Sequence, residues 1–123
     1  MYKRQKVLFL DTTNGIASAK YIAKTEMCHS GGIVQGGFVT GWIDAIMALA
    51  CMAKCGSDVL VLTLEIKISF LNSARIGEII STAKVIKKTK SIAFLEGKIE
   101  NTDGALIATG TCTAKLKHNF YKN

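Results

Sequence analysis

Gly36 to Lys54 constrains this chain more than any other stretch. A glycine-rich entry, Gly31-Gly32 and then Gly36-Gly37, opens a run that is almost wholly apolar or small, from Phe38 to Ala53, with one carboxylate, Asp44, in its middle. A helix apolar on every side is normally buried all round. A membrane span needs about 20 unbroken apolar residues without a central charge, so the run reads as a core helix wrapped by a sheet. A buried carboxylate needs compensation. Asp44 therefore either belongs to a site, as acids in such places often do, or is satisfied by a neighbour such as the Thr40 hydroxyl or the Trp42 indole N–H.

The rest of the chain supplies that sheet. Lys6–Thr12 and Ile16–Lys24 read as extended segments joined by an Asn14-Gly15 turn, a strong hairpin signal. Met27–Gln35 is a glycine-broken loop, and Gly56 stops the helix at its C-terminus. Val59–Leu71 alternates, with Leu60, Leu62, Leu64, Ile66, Ile68 and Phe70 on one side and Val61, Thr63, Glu65, Lys67 and Ser69 on the other. Strands are expected at Glu78–Lys87, Ser91–Glu100 and Ala105–Leu116. Their turns are Asn72–Gly77, Lys88–Lys90 and Asn101–Gly104. Short connections force antiparallel neighbours. The expected fold is α+β, an antiparallel sheet around one long helix. Residues 1–14 form an N-terminal extension with a strand, and 118–123 a frayed tail.

At 123 residues, 49% of them hydrophobic, the chain has room for a single core and is read as one domain. The apolar run after the basic N-terminus is four residues long, too short for a signal peptide, and a cytoplasmic location is expected. Without an export signal the four cysteines, Cys28, Cys51, Cys55 and Cys112, read as free thiols. Cys28 beside His29 suggests a nucleophile and base, but neighbours on an extended chain point to opposite faces. The net charge of +7 admits an anionic partner. No nucleic-acid motif is present, and the nucleotide end of coenzyme A would suit as well.

The arrangement resembles the hotdog fold, and its motifs are similar to those of acyl-CoA thioesterases of the phenylacetate-degradation type. That family carries a Gly-Gly pair with a catalytic acid eight residues after the first glycine, as Gly36 and Asp44 stand here. Leu64–Glu78 resembles the family's strand and following turn, Lys87–Phe94 its basic hairpin, and Asp103–Thr111 its last strands. The likeness covers about residues 15–116. It implies a homo-oligomer, a dimer or a dimer of dimers, with acyl-CoA as substrate, no cofactor, no metal, no nucleic acid and no membrane partner.

By position, the resemblance assigns Gly36 N–H, beside Gly37, to polarising the thioester carbonyl, and Asp44 to acting as general base or nucleophile. Seven residues before Gly36 the family commonly has Asn or Gln, and immediately before it His. Here His29 and Gln35 stand in those places, as if exchanged. A protonatable His29 would make its contact sensitive to pH. Thr63 matches a hydroxyl that in some members places the attacking water, whereas Ala48 stands where another subgroup has a hydroxyl. Arg75, Lys87, Lys88 and Lys90 are the implied coenzyme A contacts, with Phe38, Val39, Trp42 and Ile43 lining an acyl tunnel between helices.

One constraint is physical. At about 1.5 Å rise per residue, Gly36 and Asp44 are roughly 12 Å apart along the helix. One carbonyl cannot touch both in one subunit, but two such helices packed antiparallel across a twofold axis would bring them together. Two further functions fit the same fold: a hydroxyacyl- or enoyl-thioester (de)hydratase pairing His29 with Asp44, and a non-catalytic acyl-CoA-binding module.

Overall fold

Asp11 closes the first hairpin. In the computed structural model, which describes residues 5–29 and 31–121, its carboxylate accepts hydrogen bonds from the Thr13 and Asn14 N–H groups at 2.9 and 3.0 Å, and from Asn14 Nδ2 at 2.8 Å. The Asn14 contacts hold the Asp11 carboxyl below its usual range. Gly15 completes the loop at φ +68°, a conformation that glycine adopts at little cost. The loop joins β1 (Lys6–Asp11) to β2 (Ile16–Ala23).

A short 3-10 turn, Thr25–Met27, leads into two-residue strands β3 (Cys28–His29) and β4 (Ile33–Val34). The segment expected as a glycine-broken loop thus contains a small antiparallel hairpin, with Cys28 opposite Val34 and His29 opposite Ile33. It turns at Gly31 and Gly32, both at positive φ. Helix α1 (Gly36–Cys55) follows and ends at Gly56, whose N–H bonds back to Met52 O. Then come β5 (Leu60–Phe70), β6 (Gly77–Lys88), β7 (Ile92–Asn101) and β8 (Leu106–Lys117). The six long strands form one antiparallel sheet in the order β1-β2-β6-β7-β8-β5.

The strands alternate because one face carries the helix. Ala17, Ala19, Tyr21, Ile79, Ala83, Ala93, Leu95, Ile99, Ala108 and Ala114 point to it and are buried. Many of these are small, so the helix seats low on the sheet. Gly97 and Gly110, paired across β7 and β8, continue that floor. A Cβ on Gly110 would lie 2.8 Å from Ile68 Cδ1 and 3.0 Å from Ile43 Cγ2. Gly110→Val is therefore expected to destabilise the fold by about 1–3 kcal/mol through overpacking. The change would be read as a lower urea midpoint at unchanged slope.

Two expectations need correction. The helix is not buried all round. Val39, Trp42, Ile43, Ile46, Met47, Ala50 and Cys51 face the sheet and are buried, while Gly41, Asp44, Ala45, Ala48, Leu49 and Met52 on other faces keep partial exposure. The reason is that a single sheet covers one side of a cylinder. By length and composition α1 could cross a membrane, but here it is the core helix. The clean alternation of β5 is also broken. Thr63 pairs with Ala114 and Glu65 with Thr113, so Leu64 is an extra residue in a β-bulge. The bulge changes the phase: Val61 before it and Ile66 and Ile68 after it pack on the core, while Leu62 and Leu64 are exposed.

At the C-terminus, Phe120 N–H bonds to Asp58 O at 2.9 Å, and His118 Nε2 lies 2.6 Å from Lys90 O. Phe120 and His118, in the segment expected as a frayed tail, thus each make a hydrogen-bonding contact with the body. Residues 1–4 of the extension and 122–123 of the tail lie outside the described residues.

Candidate active site

The site begins with a helix that has no side-chain cap. Gln35 is the N-cap residue at φ −61°, ψ 141°, and its side chain makes no capping bond. Its own N–H goes to Met27 O, and the Phe38 N–H turns back to Gln35 O, each at 3.0 Å. The first N–H groups of a helix have no intrahelical acceptor and carry the positive end of its dipole. Gly36 and Gly37, the first two residues of the helix, are exposed.

Two turns further on, Asp44 lies on the part of the helix that the sheet leaves open. Its partner is neither Thr40 nor the Trp42 indole but Thr63, whose hydroxyl donates to Asp44 Oδ1 at 2.8 Å. The bulge at Leu64 makes this contact possible, because it keeps Thr63 on the helix side together with Val61. Bulges often re-aim a side chain in this way. Beneath the acid lies β8. Burial first, and then the Asp44 charge, push the Cys112 thiol up to about 11, and burial pushes Cys51 to about 12. Thiols in that state stay protonated at neutral pH, which makes them poor nucleophiles. Cys28, half-buried, and His29, exposed, face apart on β3.

The other expected site residues are distributed unevenly. Trp42 and Ile43 are turned into the sheet at 1% and 0% exposure, with Trp42 stacked on Tyr21 at 5.6 Å. Within one chain they are core. Phe38 is half-buried and tilted against Trp42. Val39 is buried, but it also lines a groove of about 370 Å³ beside Gly36, together with Val34, Phe70, Leu71 and Ala74. Sequence reading missed this groove. Its signal was the pair Phe70-Leu71, two large apolar residues at a strand end.

Arg75 donates to Gly31 O at 3.1 Å and borders a second groove of about 630 Å³ between residues 72–79 and 101–107. Lys87 and Lys88 stand at the far end of β6, with Lys90 in the loop beyond. A 12-residue strand is on the order of 40 Å long. One chain therefore does not bring Arg75 and the three lysines together. A third groove, of about 610 Å³ between Lys67, Lys84 and Lys98, lies on the sheet face away from the helix and from Asp44. Among the described residues no group of three or more His, Cys, Asp or Glu side chains is placed to hold a metal ion.

A single long helix seated on a wide antiparallel sheet, with an uncapped glycine start and an acid two turns in, defines a hotdog domain. Comparison with known proteins places it further. Residues 31–108 match the family model of the thioesterase superfamily. The chain is 35% identical over 99 residues to mouse acyl-coenzyme A thioesterase 13, covering 76% of this chain and 69% of that protein. Against the human protein of the same name it is 30% identical over 115 residues, covering 90% and 80%. Among solved structures, a putative thioesterase related to phenylacetic acid degradation from Ralstonia eutropha superposes with a TM-score of 0.84 at 25% identity, covering 90% of this chain and 83% of that one. A conserved protein of Pseudomonas aeruginosa gives the same TM-score at 26% identity, covering 92% and 88%. The chain belongs to the thioesterase superfamily. It is a hotdog thioester hydrolase of the phenylacetate-degradation type.

Proposed function

We propose that the protein hydrolyses acyl-CoA thioesters in a site shared between two subunits, with Asp44 of one and the Gly36 N–H of the other acting on the same thioester. The observation that carries this reading is the Asp44–Thr63 pair on the uncovered side of the helix. Thr63 occupies Oδ1 and leaves Oδ2 for a water. In the reaction so drawn, the water oxygen attacks the thioester carbon while its proton passes to Asp44. The oxyanion is held by the Gly36 N–H, and the C–S bond then breaks as Asp44 returns the proton to the departing thiolate, releasing the free acid and coenzyme A. His29 on β3 and Gln35 at the N-cap are assigned to holding the carbonyl or the water.

The dimer is supported by what the chain leaves uncovered. β5 is an edge strand of 11 residues with Leu62 and Leu64 exposed. A long apolar edge of that kind is a template for pairing with another strand. Pairing β5 with its own copy about a twofold axis would continue the sheet, run the two helices antiparallel and cover their open faces. The same operation carries the Lys87–Lys90 end of one chain towards the Gly36 and Arg75 end of the other. A composite groove for the coenzyme A phosphates then has Arg75 as a fork and the lysines as point charges.

The test is release of thiol from a panel of short, medium, long and aryl acyl-CoA esters, with the mass in solution measured alongside. A protein that is monomeric at the assay concentration and fully active would overturn the shared site. Thr63→Val is expected to lower kcat about tenfold with KM little changed, since a hydrogen bond to a charged group contributes about 1.5–3 kcal/mol. Steady-state kinetics on one ester checks it.

A further inference from the structure

Phe70 stands at the end of β5, where the post-bulge phase turns it to the helix side with Ile66 and Ile68. A Cβ built on Gly36 would lie 3.3 Å from Phe70 Cζ and 3.5 Å from Cε1. The ring therefore borders the residue whose N–H is assigned to the thioester oxygen. It is nevertheless 55% exposed, and Leu71 beside it 53%, so two large apolar side chains frame an open groove. Val34, Val39 and Ala74, at 4%, 2% and 3% exposure, also line that groove. At about 370 Å³ it lies at the small end of ligand pockets, which run to roughly 300–1,000 Å³.

A thioester sends two arms from its carbonyl carbon. The thiol arm of coenzyme A carries two amides and ends in phosphates, and it needs polar partners along its length. The acyl arm needs apolar walls. Val34, Val39, Phe70, Leu71 and Ala74 supply walls of the second kind, and the polar rim is partly committed, since Asn72 Nδ2 already bonds Leu106 O at 2.8 Å. With the thioester oxygen held at the Gly36 N–H, a ring next to Gly36 would meet the acyl group at its first carbons and not at its tail.

We propose that Phe70 is a specificity-determining residue, walling the acyl groove at the carbon next to the carbonyl and selecting unbranched acyl groups over those with a branch or ring at that carbon. This rests on the thioesterase reading above. Straight-chain esters pass beside the ring, while isobutyryl and benzoyl esters collide with it.

The experiment compares kcat/KM for butyryl-, isobutyryl- and benzoyl-CoA in the wild type, Phe70→Ala and Phe70→Trp, with the melting temperature of each recorded. Wild type is expected to favour butyryl-CoA. Phe70→Ala should raise the isobutyryl-to-butyryl and benzoyl-to-butyryl ratios at least about tenfold, within the range that one misplaced carbon commands in an apolar pocket. Phe70→Trp should lower both ratios. If alanine unfolds the protein, Phe70→Leu takes its place, with a rise in the same direction. Unchanged ratios in both variants, or one common loss across all three esters, would overturn the proposal, because a structural cap or a wall of the thiol arm acts on every ester alike. No thiol release by the folded wild type from any ester would instead sink the thioesterase reading, and this wall with it.

Discussion

Replacing Asp44 with alanine is expected to cut kcat for acyl-CoA hydrolysis by at least about a hundredfold, the contribution typical of a positioned general base. The fold should survive the change. Asp44 is only half-buried, it accepts a hydrogen bond from the Thr63 hydroxyl, and that hydroxyl lies in an exposed setting where water can replace the lost partner. Alanine is also the better helix former at a mid-helix position. The variant should therefore melt no lower than the parent while losing turnover. Asp44→Asn sharpens the reading. The amide keeps the shape and the Thr63 contact but cannot take a proton, so its loss should approach that of alanine. Near-normal turnover in either variant refutes the role.

The second large effect concerns the other half of the site. Gly36→Pro should lower kcat by about 10²–10³, the cost of deleting one oxyanion donor. Proline removes the N–H but suits the first turn of a helix. The preceding residue, Gln35, already has the extended conformation that a following proline requires. The Cβ it introduces would lie 3.3 Å from Phe70 Cζ, a contact that a ring shift of a few tenths of an ångström relieves. The two variants together test whether the site is shared. In a mixed dimer of Asp44→Ala and Gly36→Pro chains, one of the two sites contains Asp44 from one chain and Gly36 from the other, both intact. Random mixing makes half the dimers hybrid, so about a quarter of wild-type activity should return when two nearly dead proteins are unfolded and refolded together. If mixing restores nothing, Asp44 and Gly36 do not act across subunits.

Much of this fold was written in local patterns. The apolar run after Gly36, broken by Asp44, read as a core helix over a membrane span, and Gly56 at φ +107° stops it one residue beyond the expected end. Asn14-Gly15 marked the first hairpin, and Asn101–Gly104 the last. The strands came within a residue or two of their observed bounds, because period-two alternation is imposed by burying one face. The motif Gly36 and Asp44, set in that helix, was equally legible, and with it the family.

What the sequence could not carry was the outcome of packing. A bulge at Leu64 leaves no mark in a string of alternating leucines and charges, yet it decides that Thr63 meets Asp44 and that Leu62 and Leu64 face solvent. Arg75 and Lys88 are 13 positions apart in the chain, which hides that they stand at opposite ends of β6. Phe70 read as one more strand residue until the fold set its ring beside Gly36. In each case the local pattern reports which side chains prefer burial. Which partner each one meets is settled only when distant segments compete for the same space over one helix.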